Sequence, residues 1–312
     1  MGPSKQPDLT RILRKLGTQD IVESLSGRLS GSELNTLLLK VFQEKAEMSS
    51  AGDLLKRYGE NRFVQPANAD AILLKQLELD ILKMAARHTV SAVQLSPVAP
   101  LGSSSVVAAV DQNKIISALR GTEVVSDATN LLALYISDMI KTQSVNNRDD
   151  YIRLCTTHRH VRAQYFGNIP GMLPHFHLFC MVTAGEDKGS YGFEKQSFWE
   201  QIMVYRDLFQ SLFGSEIEII LSGRAGYPDT EGLLTRVVQF AQEQYVKLNI
   251  TVSEPKMDNQ YYKGFQFTIK TTIQGRELNI GDGGFVDWTQ QLLGAKKERL
   301  LISAIGLDRL LV

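Results

Sequence analysis

The sequence predicts an α+β fold, with long helices packed on a largely antiparallel sheet and a small helical domain in front of it. Three observations predict this. Apolar residues recur at helical spacing over the long segments 70–87, 126–141 and 193–213. Alternating apolar and polar residues mark EIEIIL, GFQFTIKTTIQGRELNIGDGG and LLISAIG in the second half. The stretch NRFVQPAN, residues 61–68, separates a purely helical first part from the rest.

Residues 8–58 read as short amphipathic helices. Ser30 and Glu33 form an S-x-x-E capping box opening GSELNTLLLKVFQEKA. Leu34, Leu37, Leu38, Val41 and Phe42 follow helical spacing there, which predicts one buried face. Ser50 and Asp53 open a further helix that Gly59 ends. The expected domains are therefore 1–66, helical, and 67–312, the core. In the core, the helix at 70–87 carries Leu73, Leu77, Ile81 and Met84, and a strand SAVQLSP ends at Pro97. Another helix covers 126–141, and 151–183 read as two strands joined by a long loop. A helix at 193–213 stops at Gly214, and Asp229 or Thr230 caps the next, through about 247. Strands surround a last helix at about 285–293.

Composition excludes several classes. Hydrophobic residues make up 43% of the chain, so a core forms and wholesale disorder is excluded. Lys and Arg total 34, as do Asp and Glu, which leaves no global footprint for nucleic acid and only a local basic patch open. Two cysteines build no disulfide framework. No run of about 18 apolar residues spans a membrane, and the polar N-terminus lacks a signal peptide's apolar core. A cytoplasmic protein is expected.

Residues 155–180, CTTHRHVRAQYFGNIPGMLPHFHLFC, hold both cysteines and four of the five histidines. Zinc needs ligands converging on one point. Strand alternation puts Cys155 opposite His158 and His160, and Cys180 opposite His177. Regular strands then predict four histidines on one face and two cysteines on the other, with no bound metal.

The same stretch supports a different reading. HRHVRAQ followed by FHLFCMVTAG resembles motif 2 of class II aminoacyl-tRNA synthetases, in the histidyl branch's pattern F-R-H-E-R-P-Q, loop, F-H-Q. Further resemblances follow in order along 70–312. The helix before SAVQLSPVAPLG resembles motif 1 with its proline, Pro97, and SDAT at 126–129 resembles P-E-G-T. QYYKGFQF at 260–267 resembles D-Y-Y-T-G-x-x-F, GGFVDW at 283–288 a worn G-G-R-Y-D-G, and ISAIGLDRLL at 302–311 motif 3.

The resemblance implies a class II synthetase-like antiparallel sheet flanked by helices and a homodimer formed through motif 1. It implies Arg159 at the α-phosphate and Arg309 at the adenine as catalytic groups, with Arg159, Arg162, Phe176 and Arg309 holding nucleotide. Asp127, Thr129, Tyr261 and Tyr262 would line the substrate pocket. The departures count equally. Met257 stands at the histidine-specific Arg with Lys256 beside it, Leu178 at the Gln after F-H, and Val182 at the Glu for the α-amino group. Val161 replaces the motif 2 Glu, residues 163–174 hold no Arg or Lys, and Ile302 and Ala304 replace motif 3 glycines. Each lost charge at a developing oxyanion removes roughly 3 kcal/mol of catalysis. The sequence also stops three residues after Arg309, so the family's anticodon-binding domain is expected to be lacking and tRNA is not an expected partner.

The expectation is a synthetase-like paralogue that is not a histidyl-tRNA synthetase. It is read as a ligand-binding or regulatory protein, similar to the regulatory subunit of ATP phosphoribosyltransferase, with weak binding of ATP or AMP. The alternative is an ATP-dependent ligase that adenylates another carboxylate, with Mg2+ needed only then. The N-terminal helices are the expected site of a protein partner.

Overall fold

The computed structural model describes residues 8–144, 150–164, 174–244, 248–255 and 261–311. Four helices come first: α1 (Leu9–Leu16), α2 (Ile21–Glu23), α3 (Gly31–Glu47) and α4 (Ala51–Glu60). Both predicted N-caps form. Ser30 Oγ accepts from the Glu33 N–H at 3.3 Å while Glu33 Oε2 accepts from the Ser30 N–H at 2.7 Å. Ser50 and Asp53 repeat the arrangement, so two donors at each helix start are satisfied reciprocally. The predicted burial does not follow. No residue of α1–α4 is buried, and on α3 Leu37, Val41 and Phe42 are 43%, 41% and 54% exposed. Helical periodicity marks an apolar face but does not say which chain covers it.

The core follows in the order α5 (Ala71–Arg87), β1 (Ser91–Ala92), β2 (Val98–Pro100), β3 (Thr122–Val124), α6 (Ala128–Lys141), β4 (Ile152–Val161), β5 (His175–Glu186) and α7 (Gly192–Phe213). It continues with β6 (Ile217–Gly223), α8 (Thr230–Glu243), β7 (Asn249–Ser253), β8 (Lys263–Ile273), β9 (Arg276–Val286), α9 (Trp288–Leu293) and β10 (Glu298–Gly306). The sheet order is β1-β4-β5-β10-β9-β8-β6-β7. Only its outer pairs, β1 with β4 and β6 with β7, are parallel. The predicted strand SAVQLSP is paired in the large sheet only over Ser91–Ala92. Strand β7 was absent from the sequence reading, because NITVS is an exposed edge with little apolar alternation.

Helices α5, α7 and α8 cover one face of the sheet through Leu77, Ile81, Phe198, Tyr205 and Leu233, packed on Phe179, Phe265, Phe267 and Phe285. Helices α6 and α9 cover the other through Leu132, Ile136 and Trp288, packed on Leu154, Val182 and Ile302. On α5 the buried residues are Leu74, Leu77, Glu78, Ile81, Met84 and Ala85, whereas Leu73 is 56% exposed. Leu73 instead belongs to an outward stripe with Ile72 and Leu79.

The β4–β5 register corrects the expected grouping of histidines. Arg159 pairs with His177 and His160 with Phe176, and directly paired residues share a face. His158 and His160 therefore stand with Phe176 and Cys180 on the α6 side. His175 and His177 stand with Arg159 and Cys155 on the α5 side. Parity within each strand separates each cysteine from its nearest histidine as expected, but parity says nothing about registration between strands. The histidines split two and two. Among the described residues no group of three or more His, Cys, Asp or Glu is arranged to hold a metal ion.

Candidate functional site

The site is built around the N-terminus of α6. Asp127 is its N-cap: Oδ1 accepts from the Thr129 N–H at 2.9 Å and from the Thr129 hydroxyl at 2.7 Å, the preferred chemistry for an orphan helix donor. The Tyr261 hydroxyl donates to Asp127 Oδ2 at 3.0 Å. The next N–H, of Ala128, donates to His160 Nε2 at 2.8 Å. That bond makes His160 an acceptor, so its proton sits on Nδ1.

Beside it, Arg162 Nε donates to the Ser126 carbonyl at 3.0 Å, and the guanidinium lies 5.1 Å from the Phe176 ring centroid. His160 stacks on the same ring at 5.9 Å and 17°. Across the cleft, Tyr262 lies edge-on to Tyr261 at 4.8 Å. Its ring passes so close over β9 that a Cβ on Gly284 would meet Tyr262 Cδ1 at 2.6 Å. Only glycine permits that approach. Asp282 Oδ2 accepts from Gln266 Nε2 at 3.0 Å, and Gln266 Oε1 accepts from the buried Arg224.

Together these groups enclose about 250 Å3, just under the roughly 300–1,000 Å3 of small-molecule sites. Leu178, Ile280, Ile302 and Ala304 supply apolar wall. Burial alone would raise the Asp127 carboxyl, but Arg162, His160 and the Thr129 hydrogen bonds outweigh it and hold Asp127 below the usual carboxylate range. Asp282 moves the other way. Burial, then the nearby Asp127 charge, raises it despite Gln266 and Tyr262. Two carboxylates in one cleft thus differ in their readiness to ionise. Burial, followed by the Arg162 charge, lowers His160 to about 3 against the opposing pull of Asp127.

Seven of the eight residues singled out from sequence line this cleft: Asp127, Thr129, Arg162, Phe176, Tyr261, Tyr262 and Arg309. Arg309 donates from Nη1 to the Asn279 carbonyl at 2.6 Å. Arg159 does not line it. The odd-numbered side chains of β4 face α5, and Arg159 Nε donates there to His175 Nδ1 at 3.0 Å. His175 in turn bonds the Gln65 carbonyl through Nε2 at 2.6 Å. Alternation places Arg162 in the cleft and its odd-numbered neighbour behind the sheet. Leu178 lines the cleft, whereas Val182 and Met181 are buried in the two cores. Met257, Lys256 and most of the loop at 163–174 lie outside the described residues. Asp282 and Gln266 escaped the sequence reading, and His160 stands there as a metal candidate and a motif match but not as a cleft residue. Counting in twos along β9 from Gly284 would have found Asp282 on the cleft face.

Neither the known protein families nor the curated proteins include a match to the chain. Solved structures do match. One is described as an ATP phosphoribosyltransferase regulatory subunit/histidyl-tRNA synthetase from Bacillus halodurans, with TM-score 0.60 over 79% of this chain and 82% of that one at 11% identity. The fold is class II aminoacyl-tRNA synthetase-like. Apo histidyl-tRNA synthetase from S. aureus matches 79% of this chain and 68% of its own, with TM-score 0.57 and 11% identity. A histidine–tRNA ligase subunit from Alicyclobacillus acidocaldarius matches 80% of this chain and 95% of its own, with TM-score 0.58 and 12% identity. The core therefore shares the antiparallel sheet and flanking helices of histidyl-type class II synthetase cores, as the six ordered motifs imply.

Proposed function

We propose that the chain is a synthetase-like ligand-binding or regulatory protein with a residual nucleotide site, and not a histidyl-tRNA synthetase. The observation that carries this is the state of Arg162. It is the basic side chain that reaches the Phe176 side of the cleft, yet it faces Asp127 and bonds the Ser126 carbonyl. A guanidinium tied through Nε to a carbonyl and drawn to a nearby carboxylate charge attracts a phosphate less than a free one would. Leu178 in the cleft wall offers no hydrogen bond to an α-ammonium or imidazole, so histidine gains no partner there.

Calorimetry tests this. AMP is expected to bind weakly and about as well as ATP with magnesium, Phe176→Ala to weaken AMP binding at least tenfold, and histidine not to bind. Tight ATP binding with histidine-dependent pyrophosphate exchange would overturn it. The ligase reading is favoured by one observation: Asp127, Thr129, Tyr261 and Tyr262 all line the cleft. ATP–pyrophosphate exchange driven by a carboxylate other than histidine would establish it.

We propose further that the chain pairs with a second copy through α5 and the segment 91–101. What supports this is an apolar surface on those elements: Ile72, Leu73 and Leu79 are 82%, 56% and 47% exposed, and Leu101 is 54% exposed. Ile72→Glu is expected to convert a dimer to a monomer by light scattering at micromolar concentration. A wild-type monomer under those conditions sinks the proposal. The uncovered apolar face of α3 supports a separate protein partner for the N-terminal helices.

A further inference from the structure

The charges lining the cleft do not suit a ligand that is only a nucleotide. Three carboxylates, Asp127, Asp282 and Asp308, face two guanidiniums, Arg162 and Arg309. Arg162 bonds the Ser126 carbonyl and its charge acts on Asp127, and Arg309 is held at the Asn279 carbonyl. Asp282 takes its hydrogen bonds from neutral partners, the Gln266 amide at 3.0 Å and the Tyr262 hydroxyl, with the Arg162 charge acting on it beyond hydrogen-bond contact. Asp308, 8% exposed, accepts from the His177 N–H through Oδ2, while its Oδ1 has no hydrogen-bond partner among the described residues. Buried acceptors left without a donor are rare in native structures, so Asp308 Oδ1 is a second unanswered carboxylate oxygen beside this cleft.

The register places Asp282 where a ligand can reach it. It pairs with Thr268 on one side and Ala304 on the other, so its carboxylate shares a face with a side chain no larger than a methyl group. Apolar Ile280 and Ile302 also line the cleft, and the space of about 250 Å3 suits a molecule the size of an amino acid. A carboxylate in such surroundings, with a second carboxylate nearby, gains most from a cation and nothing from an acid or an alkyl group.

We infer that the cleft takes an amino-acid-sized ligand carrying a cationic group, a primary amine or a guanidinium, seated against Asp282, in addition to whatever Asp127 holds. This rests on the ligand-binding reading of the same cleft. A site that answers a charged hydrogen-bond donor discriminates strongly against an isostere lacking it.

The test is calorimetry on the full chain with L-ornithine, L-lysine, L-arginine and L-norleucine, each with and without AMP. At least one basic amino acid is expected to bind tenfold or more tighter than norleucine. Asp282→Asn should abolish that preference. Asp282→Ser repeats the comparison if the Asn variant fails to fold by circular dichroism. Equal affinity for norleucine and every basic probe overturns the inference, and so does a preference that survives in the Asn and Ser variants. AMP binding without a basic preference rejects the inference and leaves the ligand-binding reading standing. A basic preference lost in Asp282→Asn without AMP binding keeps the inference and rejects the nucleotide site. Absence of binding by every probe rejects both.

Discussion

Lowering the pH from 7 to 5 is expected to destabilise the folded chain by about 2 kcal/mol through His160 alone. Burial holds this imidazole at about 3, against 6.5 for an ordinary histidine. Its Nε2 accepts the Ala128 N–H at 2.8 Å, so a proton there would set donor against donor at the start of α6. Below pH 6.5 the unfolded chain takes up a proton that the folded chain refuses. Stability from this group is therefore fully present above 6.5 and falls steadily until the folded group titrates near 3. Asp127 acts in the same direction at lower pH. Its depressed carboxyl contributes stability above the usual carboxylate range and loses it as the pH falls through its folded value. His177, lowered by burial against the pull of Glu78, adds to the acid sensitivity as well. Urea unfolding at pH 7, 6 and 5 measures the slope. His160→Gln retains an acceptor for Ala128 without the titration, so its stability should change less between pH 7 and 5. An unchanged slope in that variant would show that His160 is not the group responsible.

The second large effect lies behind the sheet. Phe198 on α7 is 1% exposed and meets Phe265 and Phe267 edge-on at 5.4 and 5.3 Å. Replacing it by alanine is expected to cost about 3–5 kcal/mol, because the lost transfer energy and the residual cavity add. That is a large part of the roughly 5–15 kcal/mol by which a domain is stable. The two phenylalanines flank Gln266 on β8, and Gln266 holds Asp282 from the other face of the sheet. The same substitution should therefore loosen the cleft. Urea denaturation of Phe198→Ala beside Phe198→Leu measures the effect. A loss below about 1 kcal/mol for alanine would mean that the helix repacks over the sheet and the cavity closes.

These results separate two kinds of information. The helices, their N-caps and the long strands were legible from the chain, because each depends on local spacing: Ser30 with Glu33, Leu77 with Ile81, the alternation of GFQFTIK. The end expected at Gly59 was not, since α4 runs on to Glu60. Six motif resemblances in order led to the class II synthetase-like core for the same reason, since each motif is a short contiguous pattern. The cleft was legible in part. Asp127, Tyr261 and Phe176 line one cleft because their motifs fix them relative to a cap, a turn and a strand start.

What the chain alone left open is everything set by registration between distant segments. The pairing of His160 with Phe176 put Arg162 in the cleft and Arg159 behind it, and divided the histidines between two faces. Strand parity shifts with one residue of slip, and the hydrogen-bonded partner across the sheet decides the slip. Asp282 became part of the site only because β8 and β10 flank β9. The face of α3 stayed uncovered because periodicity marks an apolar surface without naming its cover. Local sequence thus determined the elements and most of the residue types at the site. Tertiary pairing decided which charges face each other, because electrostatic partners are chosen by distance in space and not by distance along the chain.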